Sequence, residues 1–487
     1  MRLFTPKTYT LTLLLCAASQ LTFAQANIHS LAPNAMLNAN AVFLNPSYLR
    51  NVQGLQVNFL SGNFKVANNF VSAHTILSYA KERSKDDMDF RPIHEMMGNL
   101  KKNNSILANF DLTLLNASFR VGKPKDNIHI GISLRQHFST NITFNDQLFK
   151  LIYGGNKQFA GQSIELMPDV SAISYTDFGV AASKSFMVNE FKITPAVRLR
   201  YLLGNAAVYT KNTSLSFYTE EMGEYIEAEG VIEGYSGGVA NFSEVINGGE
   251  VQTSDDFMKA MGRGFAFDLG VTAEYKNITV SIASIDNGFI RFKEHSGWIF
   301  RSTQTSIRSE GYDVTINSQD QPESQFADPI KEMDIRSKNQ SFSTSIGSKL
   351  TLNANYGLLQ RTDNNGYNYF KHNVGISYIQ GFANKYNANS SPIIALYYQY
   401  NIFNWLSVGG NYNNFRNIHD IGANFGVRAR NFDFGVATNG LFALFNQHLS
   451  KQLDLGFTFS FTFPTKKDKD LKSIIEESES FNIDNGE

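Results

Sequence analysis

Cysteine is almost absent from this chain of 487 residues. The single example, Cys16, lies before the predicted cleavage site of a signal peptide. The mature chain therefore has no residues with which to form a disulfide, a thiol nucleophile or a cysteine-ligated metal site. No other metal or cofactor motif is present, so we predict neither a metal nor a cofactor.

An excess of one charge and long apolar runs are also lacking. The chain carries 43 Lys and Arg against 44 Asp and Glu, a formal net charge of -1, which argues against nucleic acid as a partner. Beyond the N-terminal segment, no apolar run approaches the ~18 residues of a membrane helix. If the chain enters a membrane, it does so as a closed barrel, because only a helix or a closed sheet satisfies its own backbone there.

The first residues have the three parts of a secretory signal peptide. Arg2 and Lys7 form a basic region, residues 11–23 are mostly apolar, and Ala24 supplies a small residue at the cleavage point. This order of segments is typical of secreted and envelope proteins. We predict a signal peptide over residues 1–24 and Sec export.

Aromatic residues and glycine are abundant, with 40 Phe, 21 Tyr and 36 Gly. The run Gln452–Phe463 shows how they are arranged. Every second residue from Leu453 onward is Leu or Phe, and the positions between them are Asp, Gly, Thr or Ser. Because side chains alternate between the two faces of a strand, one face is apolar and the other polar. The run is long enough to cross a bilayer, which predicts an apolar face toward lipid and a polar face toward a lumen.

This pattern recurs along the chain in roughly 14 to 18 runs. One short helix is expected around residues 93–100. Three loops are predicted: one that contains residues 146–153, a Gly/Ser/Asn-rich one at 234–262 and a polar one at 318–338. Short turns that alternate with such loops favour a transmembrane antiparallel β-barrel over residues 52–463. A soluble β-sandwich shows the same alternation, and periodicity alone leaves that alternative open.

Charged and titratable side chains recur in the polar phase of these runs. A lumen would accommodate them, since burying such groups unpaired is costly. The predicted lumen-lining residues are His129, Arg135, His137, Arg198, Arg200, Asp268, Glu274 and Arg428. A metal site at His129 and His137 is the alternative, but the pattern places no carboxylate or cysteine with them. We therefore expect a lumen lining and no metal.

Residues 25–51 do not alternate like a strand. They lead to Val42-Phe43-Leu44-Asn45-Pro46, where Pro46 biases Asn45 away from the helical region and favours a bend. In this element the chain resembles the FadL-like hydrophobic-compound transport barrels and, more distantly, PorV-like barrels. The segment Gly262–Gly270 is typical of Bacteroidota relatives of unassigned function. The resemblance implies about 14 strands and an N-terminal plug. The bend at Asn45 and Pro46 would seat a plug that gates the lumen; the alternative is that it only leads into the first strand.

We accordingly expect an all-β outer-membrane barrel with a plug-like segment at residues 25–51 and a charged periplasmic tail at residues 464–487. The leading hypothesis is a non-enzymatic conduit or binding protein for a hydrophobic small molecule or lipid, surrounded by outer-membrane lipid. The alternative is a structural barrel that anchors a type IX secretion or gliding-type complex through a periplasmic or secretion-system protein.

A third hypothesis, a hydrolase, depends on the stretch Gly234-Tyr235-Ser236-Gly237-Gly238. The stretch fits the G-x-S-x-G nucleophile pattern. That motif requires a strand, a sharp turn and then a helix, which expose the serine. No α/β pattern surrounds Ser236, so a surface loop is expected and no enzymatic activity is predicted.

Overall fold

The computed structural model describes residues 39–51, 54–72, 74–76, 78, 91–122, 127–166, 168–238, 260–303, 305–310, 335–362, 368–382, 392–403, 405–415, 418–429, 431–441 and 450–463. The predicted signal peptide (1–24), the first part of the predicted plug (25–38) and the predicted tail (464–487) lie outside the described residues.

Helical segments in these ranges are few and short. They are 3₁₀ helices at Ala39–Phe43, Pro46–Asn51 and Lys157–Phe159, and α-helices α1 (Arg91–Gly98) and α2 (Asp146–Gly154). The short helix expected around residues 93–100 is α1. None of the helices in the described part of the chain is long and apolar enough to cross a membrane.

Strands make up most of the remainder. They are β1 (Leu55–Asn68), β2 (Asn103–Val121), β3 (Ile128–Asn145), β4 (Ser163–Leu166), β5 (Asp169–Lys184), β6 (Phe186–Val188), β7 (Phe191–Thr219), β8 (Tyr225–Gly238), β9 (Gly262–Tyr275), β10 (Ile278–Phe292), β11 (Gly297–Ser302), β12 (Ser306–Glu310), β13 (Ile335–Asn339), β14 (Phe342–Ser345), β15 (Lys349–Thr362), β16 (Asn368–Gly381), β17 (Ile393–Phe403), β18 (Leu406–Phe415), β19 (Ile418–Ala429), β20 (Phe432–Thr438) and β21 (Gln452–Phe463).

Fourteen of these strands pair side by side, all antiparallel, into a closed ring. The order is β1-β2-β3-β5-β7-β9-β10-β15-β16-β17-β18-β19-β20-β21. The ring closes where β21 pairs with β1, so it has no free edge. The predicted all-β barrel of about 14 strands is confirmed.

The outer face of the barrel is apolar. In β21, Leu453, Leu455 and Phe463 are exposed, whereas Asp454 and Ser460 are buried inside. The same division holds for β9 and much of the ring. A closed sheet that turns leucine and phenylalanine outward and polar groups inward is the arrangement of a transmembrane barrel.

The two sides of the ring differ in height. β7 has 29 residues. Its first half pairs with β9 and its second half pairs with β8. β11 to β13 extend the sheet beyond the barrel through β8.

We call β2 to β15 the tall half. β1 and β16 to β21, with 7 to 14 residues each, form the short half. The terminal end is the end at which β1 begins and β21 ends; the distal end is opposite.

Two of the β-bulges in the tall half change its inward face near the ion pairs described below. Asn205 is an extra residue in β7, between the pairs Ser174–Ala206 and Tyr175–Gly204. In β10 the register shifts between Ser284 and Asn287, where Asp286 has a φ of 59°. A bulge changes which side chains of a strand point inward.

The inward face near and beyond these bulges is apolar. Its buried cluster includes Tyr175, Leu202, Tyr209, Ile290 and Phe292. The expectation of a polar lumen therefore holds toward the terminal end but is wrong for the distal part of the tall half.

Two predicted loops are partly regular structure. Residues 146–153 form most of α2, because Asn145 accepts a hydrogen bond from the Leu148 N–H at 3.1 Å and Leu151 packs into an apolar cluster. Residues 335–338 belong to β13, which pairs with β11 and buries Ile335.

Candidate functional site

The plug segment, residues 39–51, lies inside the barrel. Its two 3₁₀ helices meet at Asn45, which has no exposed surface. The Asn45 Oδ1 accepts hydrogen bonds from the N–H of Ser47 at 2.9 Å and from its hydroxyl at 2.6 Å. This local bonding holds the bend that Pro46 favours in the sequence. Both Asn45 and Pro46 are buried.

The plug segment is bonded to the wall on the side of β9, β10 and β15. The Ser47 and Thr272 hydroxyl oxygens lie 2.5 Å apart, and those of Tyr48 and Ser281 lie 2.8 Å apart. The Thr351 hydroxyl donates to the Leu44 carbonyl at 3.1 Å. These three hydrogen bonds hold the segment against three neighbouring strands of the wall.

Gly270 allows the closest approach of the plug segment to the wall. A Cβ at this position would lie 2.1 Å from the Asn45 Oδ1 and 3.0 Å from the Pro46 Cδ. Any side chain at position 270 would therefore displace the bend. The glycine of β9 and the bend at Asn45 and Pro46 form one contact.

Asp177 of β5 is the centre of a buried ion layer distal to this contact. Its carboxylate lies 3.1 Å from Arg198 Nη2, 3.2 Å from Arg200 Nη1 and 2.7 Å from His137 Nε2. Arg135 approaches the same carboxylate at 3.9 Å. The side chains of Asp177 and Arg200 have no exposed surface.

Further carboxylates surround the same arginines. Asp268 pairs with Arg200 at 2.9 Å and with Arg198 at 3.4 Å. Asp286 pairs with Arg200 at 2.7 Å and with Lys349 at 2.5 Å. Its backbone N–H donates to the Asp268 Oδ1 at 2.7 Å. The bulge in β10 thus places Asp286 where it completes the coordination of Arg200.

Asp111 of β2 closes the layer on the other side. It pairs with Arg135 at 3.4 Å and contacts His137 Nδ1. The ion layer as a whole comprises Asp111, Arg135, His137, Asp177, Arg198, Arg200, Asp268, Asp286 and Lys349. Four permanent cations thus face four carboxylates. Such a balance is needed, since a buried charge without its partner is strongly destabilising.

Phe43 joins the plug segment to the ion layer. The Cζ atoms of Arg135 and Arg198 lie 3.8 Å and 4.6 Å from the centroid of its ring. Cations over an aromatic face are attracted to it. Plug and charges therefore form one assembly across the lumen.

Five of the eight predicted lumen residues meet in the ion layer: Arg135, His137, Arg198, Arg200 and Asp268. The other three lie apart from it. His129 is buried on β3, Glu274 pairs with Lys192 at 3.0 Å, and Arg428 pairs with Asp433 at 2.5 Å. Among the described residues, no group of three or more His, Cys, Asp or Glu is arranged to hold a metal ion.

Sequence reasoning missed Asp111, Asp177, Asp286 and Lys349. Asp177 shares its phase with Gly179 and Ala181 in β5, so the alternation could have identified it. Asp286 could not be found in this way, because it reaches the lumen through a bulge, which breaks the alternation of β10.

Ser236 lies within β8, opposite Val208 and Trp298, and has no exposed surface. The expectation that residues 234–238 form a surface loop is therefore wrong. Ser236 is thus paired on both sides within a sheet, whereas a nucleophilic serine of this motif is exposed at a sharp strand-to-helix turn.

An apolar cavity of about 1120 Å³ indents the outer wall of the tall half. Outward side chains of Phe178, Leu199, Tyr201, Phe267 and Phe289 surround it. Residues of the inward phase, with Gly179, Ala266 and Arg200 among them, also border the cavity. The cavity therefore lies directly outside the ion layer.

A closed antiparallel ring with an apolar outer surface and a filled lumen defines a transmembrane β-barrel of the outer-membrane type. The chain belongs to a family of unknown function, DUF5723, whose profile matches residues 51–439. None of the curated proteins matches the chain.

Among solved structures, the chain is similar to two toluene transporters. The Pseudomonas putida protein TodX is 9% identical, with 88% of this chain and 95% of that chain covered and a TM-score of 0.43. The Ralstonia pickettii protein TbuX is 6% identical, with 88% and 94% covered and a TM-score of 0.40. At these scores the likeness does not bear on what the chain binds.

Proposed function

We propose that this protein is an outer-membrane barrel that binds or conducts a hydrophobic small molecule or lipid. The cavity in the outer wall carries the proposal. Its volume of about 1120 Å³ is slightly larger than the ~300–1,000 Å³ of typical small-molecule sites, and its surroundings are aromatic and aliphatic. An apolar ligand dissolved in the membrane would reach it directly.

The charges of the lumen favour an uncharged ligand. Arg198 and Arg200 are each paired with two or more carboxylates. A ligand carboxylate would have to displace one of these partners and leave a buried acid unpaired, which is costly. An uncharged hydrophobic molecule meets no such cost.

The connections between strands indicate how the barrel is oriented. At the terminal end, β6 and β7, β9 and β10, and β19 and β20 are each joined by two residues, whereas most connections at the distal end are longer, the exception being the two residues between β18 and β19. Outer-membrane barrels have short periplasmic turns and longer external loops. We therefore place the terminal end, with the plug segment, in the periplasm.

The plug segment would then act as the gate. It fills the terminal part of the lumen and is held by Asn45, Ser47 and Phe43, so that a ligand could pass only when these contacts open. This role for Asn45 and Pro46 is part of the proposal.

The test compares two leucines that face lipid on opposite halves. Leu199 borders the cavity and Leu396 of β17 lies away from it, and both are exposed, at 61% and 52%. Leu199→Trp should fill the cavity, whereas Leu396→Trp should not. The full-length barrel and both variants are purified in mild detergent, and bound molecules are identified by native mass spectrometry.

We expect wild type and Leu396→Trp to retain one hydrophobic molecule per barrel, and Leu199→Trp to lose most of it. Equal occupancy in the two variants would contradict the cavity as the site. A co-purified protein in place of a small molecule would favour the alternative, a barrel that anchors a secretion or gliding-type complex.

A further inference from the structure

The apolar outer face of the tall half ends in an aromatic row. Across β3, β5, β7, β9 and β10, the outward residues paired side by side are Leu134, Phe178, Tyr201, Phe265 and Phe289. The three phenylalanines are exposed. Aromatic girdles of this kind lie where the hydrocarbon of a bilayer meets the head groups. The row therefore marks the distal membrane boundary on this half.

The next outward row toward the distal end is mostly polar. From β3 to β14 its members are Gln136, Thr176, Leu203, Arg263, Arg291 and Ser343. The two arginines and Ser343 are exposed. These three side chains therefore lie at the level of the lipid head groups.

Arg263 and Arg291 lie directly opposite each other on neighbouring strands. Side chains in such positions have Cβ atoms about 4.5–5.5 Å apart, and like charges there repel each other. Their other neighbours in the row are Leu203 and Ser343, which carry no charge. Among the described residues, no carboxylate forms an ion pair with either guanidinium group. An anion between the two arginines would replace this repulsion by attraction.

Outward polar groups at the distal end of the short half are arranged differently. The Tyr378 hydroxyl of β16 donates to Gln380 Oε1 at 2.8 Å, and the Tyr412 hydroxyl of β18 lies 2.5 Å from His419 Nδ1 of β19. These groups bond to one another within the protein. The arginine pair of the tall half instead presents its donors to the surroundings.

We propose that Arg263 and Arg291 bind the phosphate group of a membrane lipid in the leaflet at the distal end. The planar fork of arginine matches phosphate oxygens and pairs with them bidentately. A phosphate between the two guanidinium groups neutralises both, and the hydroxyl of Ser343 offers a further donor. The acyl chains of the same lipid lie against Phe265 and Phe289, in the aromatic row next to the arginines.

This site lies on the outer surface of the barrel. Under the orientation proposed above, it faces the outer leaflet of the membrane. The head group stays outside the lumen, so the paired charges of the ion layer do not oppose its binding. The inference holds whether or not the cavity in the outer wall contains a ligand.

The test uses two probes with the same acyl chains: dioleoyl phosphatidic acid, which carries a phosphate, and dioleoylglycerol, which does not. The full-length barrel in a neutral detergent is titrated with each, and native mass spectrometry measures the dissociation constants. Wild type should bind phosphatidic acid about tenfold more tightly than dioleoylglycerol. Arg263→Gln and Arg291→Gln should each weaken phosphatidic acid binding about tenfold, because a charge-assisted bond is lost. Binding of dioleoylglycerol should not change.

The double variant Lys184→Gln with Arg361→Gln is the matched control. Both residues are exposed at the terminal end, on β5 and β15, so this variant removes two cations away from the site. It should bind phosphatidic acid as wild type does. An equal loss of affinity in this control would show that net charge is responsible. Displacement of the lipid by an equal concentration of inorganic phosphate would show a site for free anions. Either result would contradict a lipid site.

A second measurement separates binding from folding. In neutral detergent, Arg291→Gln removes a like-charged neighbour, so its midpoint of thermal unfolding should be no lower than that of wild type. Added phosphatidic acid should raise the midpoint of wild type more than that of the variant, because a ligand stabilises the state that binds it. Equal affinity of wild type for the two probes, undiminished binding in both arginine variants, or equal shifts of the midpoint would each overturn the proposal.

Discussion

The two halves of the barrel fill the lumen with different chemistry. In the tall half, charged side chains from adjacent strands neutralise one another around Asp177. In the short half, amide and hydroxyl groups such as those of Gln452, Asn413 and Ser377 predominate. The difference teaches that one barrel can combine a side where each buried charge depends on its partners with a side whose buried polar groups are mostly uncharged.

The largest effect should come from removing the central charge of the tall half. Asp177→Asn leaves Arg135, Arg198 and Arg200 short of a carboxylate in a buried site. We expect the free energy of unfolding to fall by about 3–5 kcal/mol. Urea unfolding of the barrel in lipid vesicles measures it. A loss below ~1 kcal/mol would show that the ion layer is hydrated and not a buried network.

Replacing Gly270 should separate the plug segment from the tall half. Gly270→Ala places a methyl group where Asn45 Oδ1 now lies, and overpacking of this kind costs about 1–3 kcal/mol. We expect lower stability and faster proteolysis within residues 39–51.

The Asn45→Ala change is the matched test of this contact. In the double variant with Gly270→Ala, the alanine at position 45 removes the clashing oxygen, so the two effects should be less than additive. Additive effects would contradict direct contact between these positions.

Two glutamine substitutions should distinguish hydrogen-bonded from unbonded amides in the short half. Gln452→Leu leaves the Asn413 and Asn439 acceptors without their donor, at a cost of about 1–3 kcal/mol. Gln399 of β17 is also buried, but its side-chain amide makes no hydrogen bond within the described residues, so Gln399→Leu should cost little or nothing. The same urea experiment compares them, and equal losses would mean that the lumen of the short half is uniformly bonded.

The smallest effect should come from the ion pair at the terminal end. Lys192 and Glu274 are 37% and 26% exposed, and exposed pairs contribute about 0–1 kcal/mol. Glu274→Gln should therefore change stability by less than ~1 kcal/mol, and less still in 1 M salt. A cost as large as that of Asp177→Asn would remove the distinction between the buried ion layer and this outer pair.

Strand periodicity predicts the ring and the faces of its cleaner strands. β21 begins and ends where the alternation of Leu and Phe does, and the phase of Arg198, Arg200 and Asp268 correctly directs them inward. The same rule fails at bulges. Asn205 and Asp286 each shift the phase by one residue, and no pattern of apolar residues marks such a step in advance.

The contact between the plug segment and β9 shows a different limit of prediction from sequence. Pro46 indicates a bend from its own chemistry, but the partner of that bend is Gly270, more than 200 residues later in the chain. Only the folded ring brings them together, so a single sequence cannot identify this pair. The ion layer can be predicted from the sequence in part. Its arginines follow the alternation of the strands, whereas the position of Asp286 depends on tertiary structure.

The length of β7 has a consequence for access from outside the cell. At about 3.3 Å per residue, its 29 residues extend for roughly 95 Å, whereas a tilted strand crosses the hydrocarbon core in ~9–11 residues. Under the orientation proposed above, much of this strand and its neighbours would stand above the bilayer as a raised rim on one side of the mouth. A molecule arriving from the medium would meet a lower barrier over β17 to β20 than over this rim.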